Sequence, residues 1–168
     1  MRRLKHRDSL RDERGFTLPE VLIVIVIMGI VLAIASGSWF GLVENRRVES
    51  ATNQMVSDLR LAHTRATNRL ENWQLDVRPP GGTNTEYRIG PCADPCGAPL
   101  PNSLPSRSLE KGSVFPPGMS GAKVVFKPDG AAAFPPGNIQ VAAVDGSPCN
   151  VININEATSR IGVIRNAC

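Results

Sequence analysis

The chain has 168 residues and a formal net charge of +4. The charge is unevenly placed: residues 1–15 hold six basic and three acidic side chains, which leaves 13 basic against 12 acidic in the remainder. A nearly neutral body argues against a protein that binds nucleic acid through a general positive charge.

The first element is a short basic leader that ends in Gly15 and precedes a long apolar segment. Residues 14–20 read Arg-Gly-Phe-Thr-Leu-Pro-Glu, and residues 21–43 contain no charged side chain. A helix over that uncharged stretch would be ~34 Å long, enough to cross a hydrocarbon core of ~30 Å. The excess of basic residues before it predicts a cytoplasmic N-terminus and a translocated C-terminal part.

One carboxylate, Glu20, stands just inside this membrane-length segment. A charge in such a position is energetically costly and is therefore usually functional. The arrangement resembles the processing site of type IV prepilins and pseudopilins. The resemblance implies that a prepilin peptidase cuts between Gly15 and Phe16 and methylates the new N-terminus at Phe16. It also implies that Glu20 acts in assembly by pairing with the Phe16 amine of a neighbouring subunit.

Two simpler interpretations of the apolar segment remain open. An ordinary secretory signal peptide would be cut after the apolar run, where small residues lie at Ala33, Ala35 and 36–38. An uncleaved single-span anchor fits the hydropathy equally well. It leaves the Gly15-Phe16 pair and Glu20 without an explanation.

An amphipathic helix is predicted next, over residues 44–70. Apolar or small residues recur there at spacings of three and four, which places them on one face of a helix. The other faces carry charged and polar side chains, as expected of a solvated surface. The predicted apolar stripe consists of Val48, Ala51, Met55, Leu59, Ala62, Ala66 and Leu70.

From Trp73 onward the pattern changes to short strands separated by turns. Residues 91–117 are rich in loop-forming residues, and Lys127-Pro128-Asp129-Gly130 is a turn sequence. A long helix followed by short strands predicts an α+β fold, with an antiparallel sheet packed on the amphipathic stripe. The predicted strands are 73–78, 86–90, 124–126, 131–134, 138–144, 150–155 and 161–165.

Four cysteines, Cys92, Cys96, Cys149 and Cys168, all follow the apolar segment. An even number in an oxidising compartment predicts two disulfides. Three pairings exist, and we favour Cys92–Cys96, which closes a tight loop, with Cys149–Cys168, which holds the C-terminus. A zinc site is the alternative, but Cys-x₃-Cys has no good second ligand pair, so no metal is expected.

A narrower resemblance covers most of the chain. Residues 51–68, the segment 124–130 and the stretch 152–163 resemble the GspH/FimT-like minor pilins and pseudopilins, which implies a pilin-like fold. Some DNA-binding members of that group carry a C-terminal Gly-Arg-x-Arg motif. The matching residues here read Ser159-Arg160-Ile161-Gly162, with Arg165 nearby but out of register. Arg160 and Arg165 are thus the candidate DNA contacts, and ordinary surface arginines are the competing interpretation.

No catalytic pattern emerges from the sequence. It contains no phosphate-binding glycine loop and no nucleophile elbow, and His63 is a lone histidine on a predicted helix. We therefore expect a non-enzymatic protein without a cofactor. A membrane-anchored hydrolase would need a nucleophile–base pair that the sequence does not display.

The sequence thus predicts a structural minor subunit of a type IV pilus or a type II secretion pseudopilus, with a DNA-receptor minor pilin for natural transformation as the alternative. The expected parts are a cleaved leader (1–15), a transmembrane and filament-core helix (16–43) and a periplasmic or extracellular domain (44–168). The expected partners are prepilin peptidase, other pilin subunits, the inner-membrane assembly machinery and the membrane. The expected location is the inner membrane with the N-terminus in the cytoplasm, and then the filament.

Overall fold

The structure, a computed structural model, describes residues 15–133 and 138–168, and for 36–40 it describes the backbone only. The predicted leader therefore lies outside the described residues except for Gly15, as does Phe134 at the end of one predicted strand. The chain forms two compact units, Met1–Phe40 and Gly41–Cys168.

Helix α1 spans Leu18–Arg69, and its start is well defined. The carbonyl oxygen of Thr17 accepts hydrogen bonds from the backbone N–H groups of Glu20 (3.0 Å) and Val21 (3.2 Å). Pro19 lies in the first turn, where its missing N–H leaves no helical bond unmade. Glu20 also lies in the first turn, where a negative charge interacts favourably with the helix dipole.

In the second unit, α1 buries the predicted stripe. Every predicted position from Val48 to Ala66 is fully buried. Leu70 is the exception: it is 76% exposed and adopts a positive φ of 55° just after the helix ends. Its backbone turns the chain out of the helix, so its side chain leaves the stripe.

The described residues contain nine strands in two antiparallel sheets. The first sheet has the order β3-β2-β1-β5-β6, and the second has the order β4-β7-β8-β9. The strands are β1 Trp73–Val77, β2 Glu86–Pro91, β3 Ser106–Ser108, β4 Ser113–Val114, β5 Lys123–Phe126, β6 Ala132–Ala133, β7 Asn138–Ala143, β8 Cys149–Ile154 and β9 Ile161–Ile164.

Two features differ from the sequence prediction. The strands divide into two sheets instead of one, and the region expected to be loop contains β3 and β4 and leads into a 3₁₀ turn at Pro117–Met119. Both strands are too short to show a period-2 pattern in the sequence. They form because each finds a partner elsewhere in the chain: β3 pairs with β2, and β4 pairs with β7.

A single core joins the stripe of α1 to the inner faces of the strands. Leu75, Tyr87, Phe126 and Ile152 are all fully buried within it, together with Leu59 of the helix. The turn between β5 and β6 forms as predicted. The Gly130 N–H donates to the Lys127 carbonyl (3.0 Å), and Gly130 takes a φ of 84° that favours glycine.

The outer face of β1 is also buried, which the alternating sequence did not predict. Polar residues alternate with apolar ones along β1, a pattern typical of a strand with one face in solvent, but Gln74 and Asp76 are 0% and 2% exposed. The segment 97–100 lies over them: the Gly97 N–H donates to Gln74 Oε1 (2.9 Å), and the Leu100 N–H donates to Asp76 Oδ2 (2.6 Å). The polar residues of β1 therefore hold a loop on the sheet.

Candidate functional site

The first candidate site is the start of α1. All described side chains from Phe16 to Ala35 are exposed, and Leu18–Ala35 is long and apolar enough to cross a membrane. Phe16 and Glu20 stand four positions apart and line one shallow hollow of about 260 Å³ together with Val21, Val24 and Ile25. The first residue that cleavage would expose thus lies beside the carboxylate.

Glu20 forms no ion pair with any residue that the structure describes. Gly15, five positions before Glu20, has no conformational reason within the described residues to be glycine, because an added Cβ would meet none of their atoms within 4 Å and its φ is not in the left-handed region. A requirement for glycine at position 15 would therefore have to come from another molecule. The structure leaves both residues available for intermolecular roles.

The cysteines pair as Cys92–Cys96 and Cys149–Cys168, with Cα–Cα distances of 5.5 and 5.6 Å. This is the pairing that we favoured from the sequence. The second disulfide is one of several contacts that hold the C-terminal residues on β8. The Asn166 N–H donates to Asn150 Oδ1 (3.3 Å), and the Ala167 N–H donates to the Cys149 carbonyl (3.1 Å).

Arg160 and Arg165 flank strand β9, one at each end. They are five residues apart, which corresponds to ~16 Å along a strand. Arg165 donates to Glu49 Oε1 at 2.9 Å, and both arginines are exposed. The two side chains therefore do not form a compact basic cluster.

A polar network that sequence reasoning missed, buried at Tyr87 and Asp58, joins α1 to β2 and β3. The Tyr87 hydroxyl donates to Asp58 Oδ2 at 2.6 Å, and Arg107 forms a short ion pair with the other carboxylate oxygen. Gln54 donates to the Tyr87 hydroxyl (3.0 Å) and to the Ser108 carbonyl (3.2 Å). Asp58 looked like part of a solvated helix face because nothing in its local sequence shows that Tyr87 and Arg107 approach it.

The network alters two ionisation equilibria. Burial raises the pKa of Tyr87, and the hydrogen bond to the Asp58 carboxylate raises it further. The hydrogen bond to Asp58 likewise raises the pKa of Arg107. The network therefore holds Tyr87 in its neutral, hydrogen-bond-donating form.

We predict that Tyr87→Phe lowers the free energy of unfolding by about 1.5–3 kcal/mol near neutral pH, because a hydrogen bond to a charged group is lost. In the wild type, the unfolded state loses the tyrosine proton above pH ~10, while the folded state keeps it. The free energy of unfolding of the wild type therefore falls as the pH rises beyond that value. The difference in this free energy between the wild type and Tyr87→Phe narrows accordingly. Chemical denaturation of both detergent-solubilised proteins at several pH values measures this.

The chain contains one tyrosine, so tyrosinate absorbance reports Tyr87 alone. We expect the Tyr87 hydroxyl to ionise above the ordinary tyrosine pKa of ~10 in the folded protein and near that pKa in the unfolded protein. If Tyr87 of the folded protein ionised at the ordinary tyrosine pKa, the result would contradict its burial and its hydrogen bond to Asp58.

Comparison with known proteins connects these features to a family. Residues 10–36 match the family model described as "Prokaryotic N-terminal methylation motif", and residues 51–158 match the family model described as "Type II transport protein GspH". The second match covers more than half of the chain. The chain belongs to the GspH family. It is a structural minor subunit of a type IV pilus or a pseudopilus, anchored by one apolar N-terminal helix.

A solved structure shows the same fold as this GspH-family chain. The crystal structure of the type IV minor pilin FimU from Pseudomonas aeruginosa strain PAO1 aligns with a TM-score of 0.52 at 16% identity. The alignment covers 73% of this chain and 92% of FimU. No curated protein sequence matches significantly.

His63 and a metal site are the remaining candidates that the sequence raised. His63 is half-buried, with its ring edge-on to Phe126 at 5.6 Å between centroids. Its position is explained by packing against the core. Among the described residues, no group of three or more His, Cys, Asp or Glu side chains could hold a metal ion.

Proposed function

We propose that this GspH-family subunit is inserted with its N-terminus in the cytoplasm, cleaved between Gly15 and Phe16, and methylated on Phe16. It then enters a filament by docking Glu20 against the Phe16 amine of a neighbouring subunit. Residues 16–43 act as the anchor before assembly and as the filament core afterwards. Residues 44–168 form the periplasmic or extracellular domain.

The observation that carries this proposal is the exposure of the first turns of α1. A carboxylate and the residue that would carry the new amine share one hollow within an otherwise apolar, exposed surface. A helix with that surface needs either lipid or other apolar helices around it. Two opposite charges are tolerated in such surroundings when they are paired, whereas a single one is strongly destabilising. Subunit docking supplies the missing partner.

The proposal is tested on the wild-type protein in cells that assemble the filament. The N-terminus of the mature chain is determined by mass spectrometry, and spheroplasts are treated with protease. We expect an N-methylated Phe16 at the N-terminus, a protease-accessible C-terminal domain and the subunit in sheared filaments. A chain that starts after Ala35 or Ser38 would identify ordinary signal peptidase, and a retained leader would identify a simple anchor.

The DNA-receptor alternative receives no specific support from the site. Arg160 and Arg165 lie at opposite ends of β9, ~16 Å apart along the strand, and do not form a cluster. A phosphate-binding surface would require several free basic groups close together. We therefore propose the structural role alone.

A further inference from the structure

Strand β9 is an exposed edge. It lies at one end of the second sheet, where it pairs with β8 on one side only. The three other sheet ends among the described residues are the two- or three-residue strands β3, β4 and β6. Short strands are one way in which proteins protect a sheet edge, and the four residues of β9 make it the longest edge of the four.

The hydrogen-bond register shows which backbone groups are free. The Asn155 N–H donates to the Arg160 carbonyl at 3.0 Å, and β8 and β9 continue in the same register. Hydrogen-bonded pairs alternate along an antiparallel ladder, so Gly162 and Ile164 bond to β8. The peptide groups of Ile161 and Val163 point away from the sheet, and no described residue bonds to them.

The side chains along this edge suit a further strand. Val163 is 38% exposed on the face of Ile152, and Ile164 is 54% exposed on the opposite face, which it shares with Val151. An added strand would cover both. Exposed apolar side chains beside unpaired backbone groups are characteristic of strands that accept an additional strand.

Gly162 supplies an independent indication. Glycine weakens a strand, and within strands it often marks a place where another backbone approaches closely. A Cβ at position 162 would meet no atom within 4 Å, and its φ is not in the left-handed region. Neither packing nor backbone conformation within the described chain therefore requires glycine here.

The charges at the ends of β9 determine the kind of segment that fits. Arg160 and Arg165 flank the strand, and Arg160 has no ion pair among the described residues. Arg165 is 67% exposed in its pair with Glu49, and an exposed pair of this kind is weak and exchangeable. Antiparallel pairing of two copies of β9 would bring Arg160 of one close to Arg165 of the other, which is repulsive.

We propose that the free edge of β9 binds an extended, acidic segment of a partner protein as an additional β-strand. Ile161 and Val163 supply the backbone hydrogen bonds, and Arg160 and Arg165 pair with carboxylates of the segment. This surface and the hollow at Glu20 consist of different residues, so failure of one proposal leaves the other unaffected.

The test uses the detergent-solubilised full-length protein and a dye-labelled peptide, Glu-Val-Thr-Val-Thr-Glu. Its two carboxylates are as far apart in sequence as Arg160 and Arg165. We expect saturable binding by fluorescence anisotropy that weakens with added salt. The same peptide with lysine in place of glutamate, or with alternate backbone amides methylated, should not bind.

The key variant is Val163→Pro, which removes an outward N–H that β8 does not use; proline is tolerated at such an edge position. We expect about tenfold weaker peptide binding from the loss of backbone bonding. Val163→Ala, the matched control, keeps the N–H and should bind much more tightly than the proline variant. Arg160→Glu should weaken binding about fivefold or more, because it replaces an attraction with a repulsion.

The proposal is overturned if the acidic peptide does not bind, if the methylated or lysine peptides bind equally well, or if Val163→Pro has no effect. Binding of duplex DNA that Arg160→Glu abolishes and Val163→Pro leaves intact would assign the surface to nucleic acid. A dimer that Val163→Pro dissociates would identify a second copy of the chain as the occupant. Either finding also overturns the proposal.

Discussion

Gly15→Val is expected to abolish removal of the leader, so that the unprocessed chain accumulates in the membrane. An added Cβ at position 15 would meet no atom of the described residues within 4 Å, and the residue lies before the first turn of α1. The substitution should therefore leave folding and insertion intact. A loss of cleavage would come from the peptidase, whose active site would have to accept a branched side chain next to the bond that it cuts.

The measurement is co-expression with a prepilin peptidase, followed by determination of the N-terminus and of the fraction processed. Gly29→Val is a suitable control, since a Cβ at position 29 also meets nothing within 4 Å but the residue lies well after the predicted cut. We expect the control to be processed like the wild type. Efficient cleavage of Gly15→Val at the same bond would show that glycine is not the recognition element.

The second large effect is expected for Glu20→Ala: normal insertion and processing, with incorporation into filaments reduced tenfold or more. Removal of the carboxylate lowers the cost of placing the helix in lipid. In the filament, however, the neighbouring Phe16 amine would be left buried without its partner. The penalty for an unpaired buried charge is several kcal/mol, and every 1.4 kcal/mol corresponds to a factor of ten.

The readouts are the membrane level, the processed fraction and the amount of subunit in sheared filaments. Val24→Ala is the matched control, because Val24 lines the same hollow but carries no charge. Glu20→Gln keeps the size of the side chain and separates charge from shape. Equal incorporation of Glu20→Ala and the wild type would remove Glu20 from the assembly mechanism and leave only the cleavage motif in support of filament entry.

The sequence determined those features whose causes are local. The apolar run and the three-four spacing predict α1 from within the helix itself, because periodicity directly reflects which face is buried. The turn at 127–130 follows from the properties of proline and glycine. The N-terminal motif is similarly contained in a few consecutive residues, which is why the resemblance to type IV prepilins and pseudopilins could be recognised from them.

The tertiary structure decided everything that depends on residues distant in the chain. Asp58 became a buried hydrogen-bond acceptor because β2 and β3 bring Tyr87 and Arg107 to it, and Gln74 and Asp76 became buried because a loop lies on β1. Likewise, the free edge of β9 results from strand order, which no local pattern specifies. Local sequence fixes the preferred conformation and apolar face of each element. The neighbours of that element follow only when the whole chain has packed.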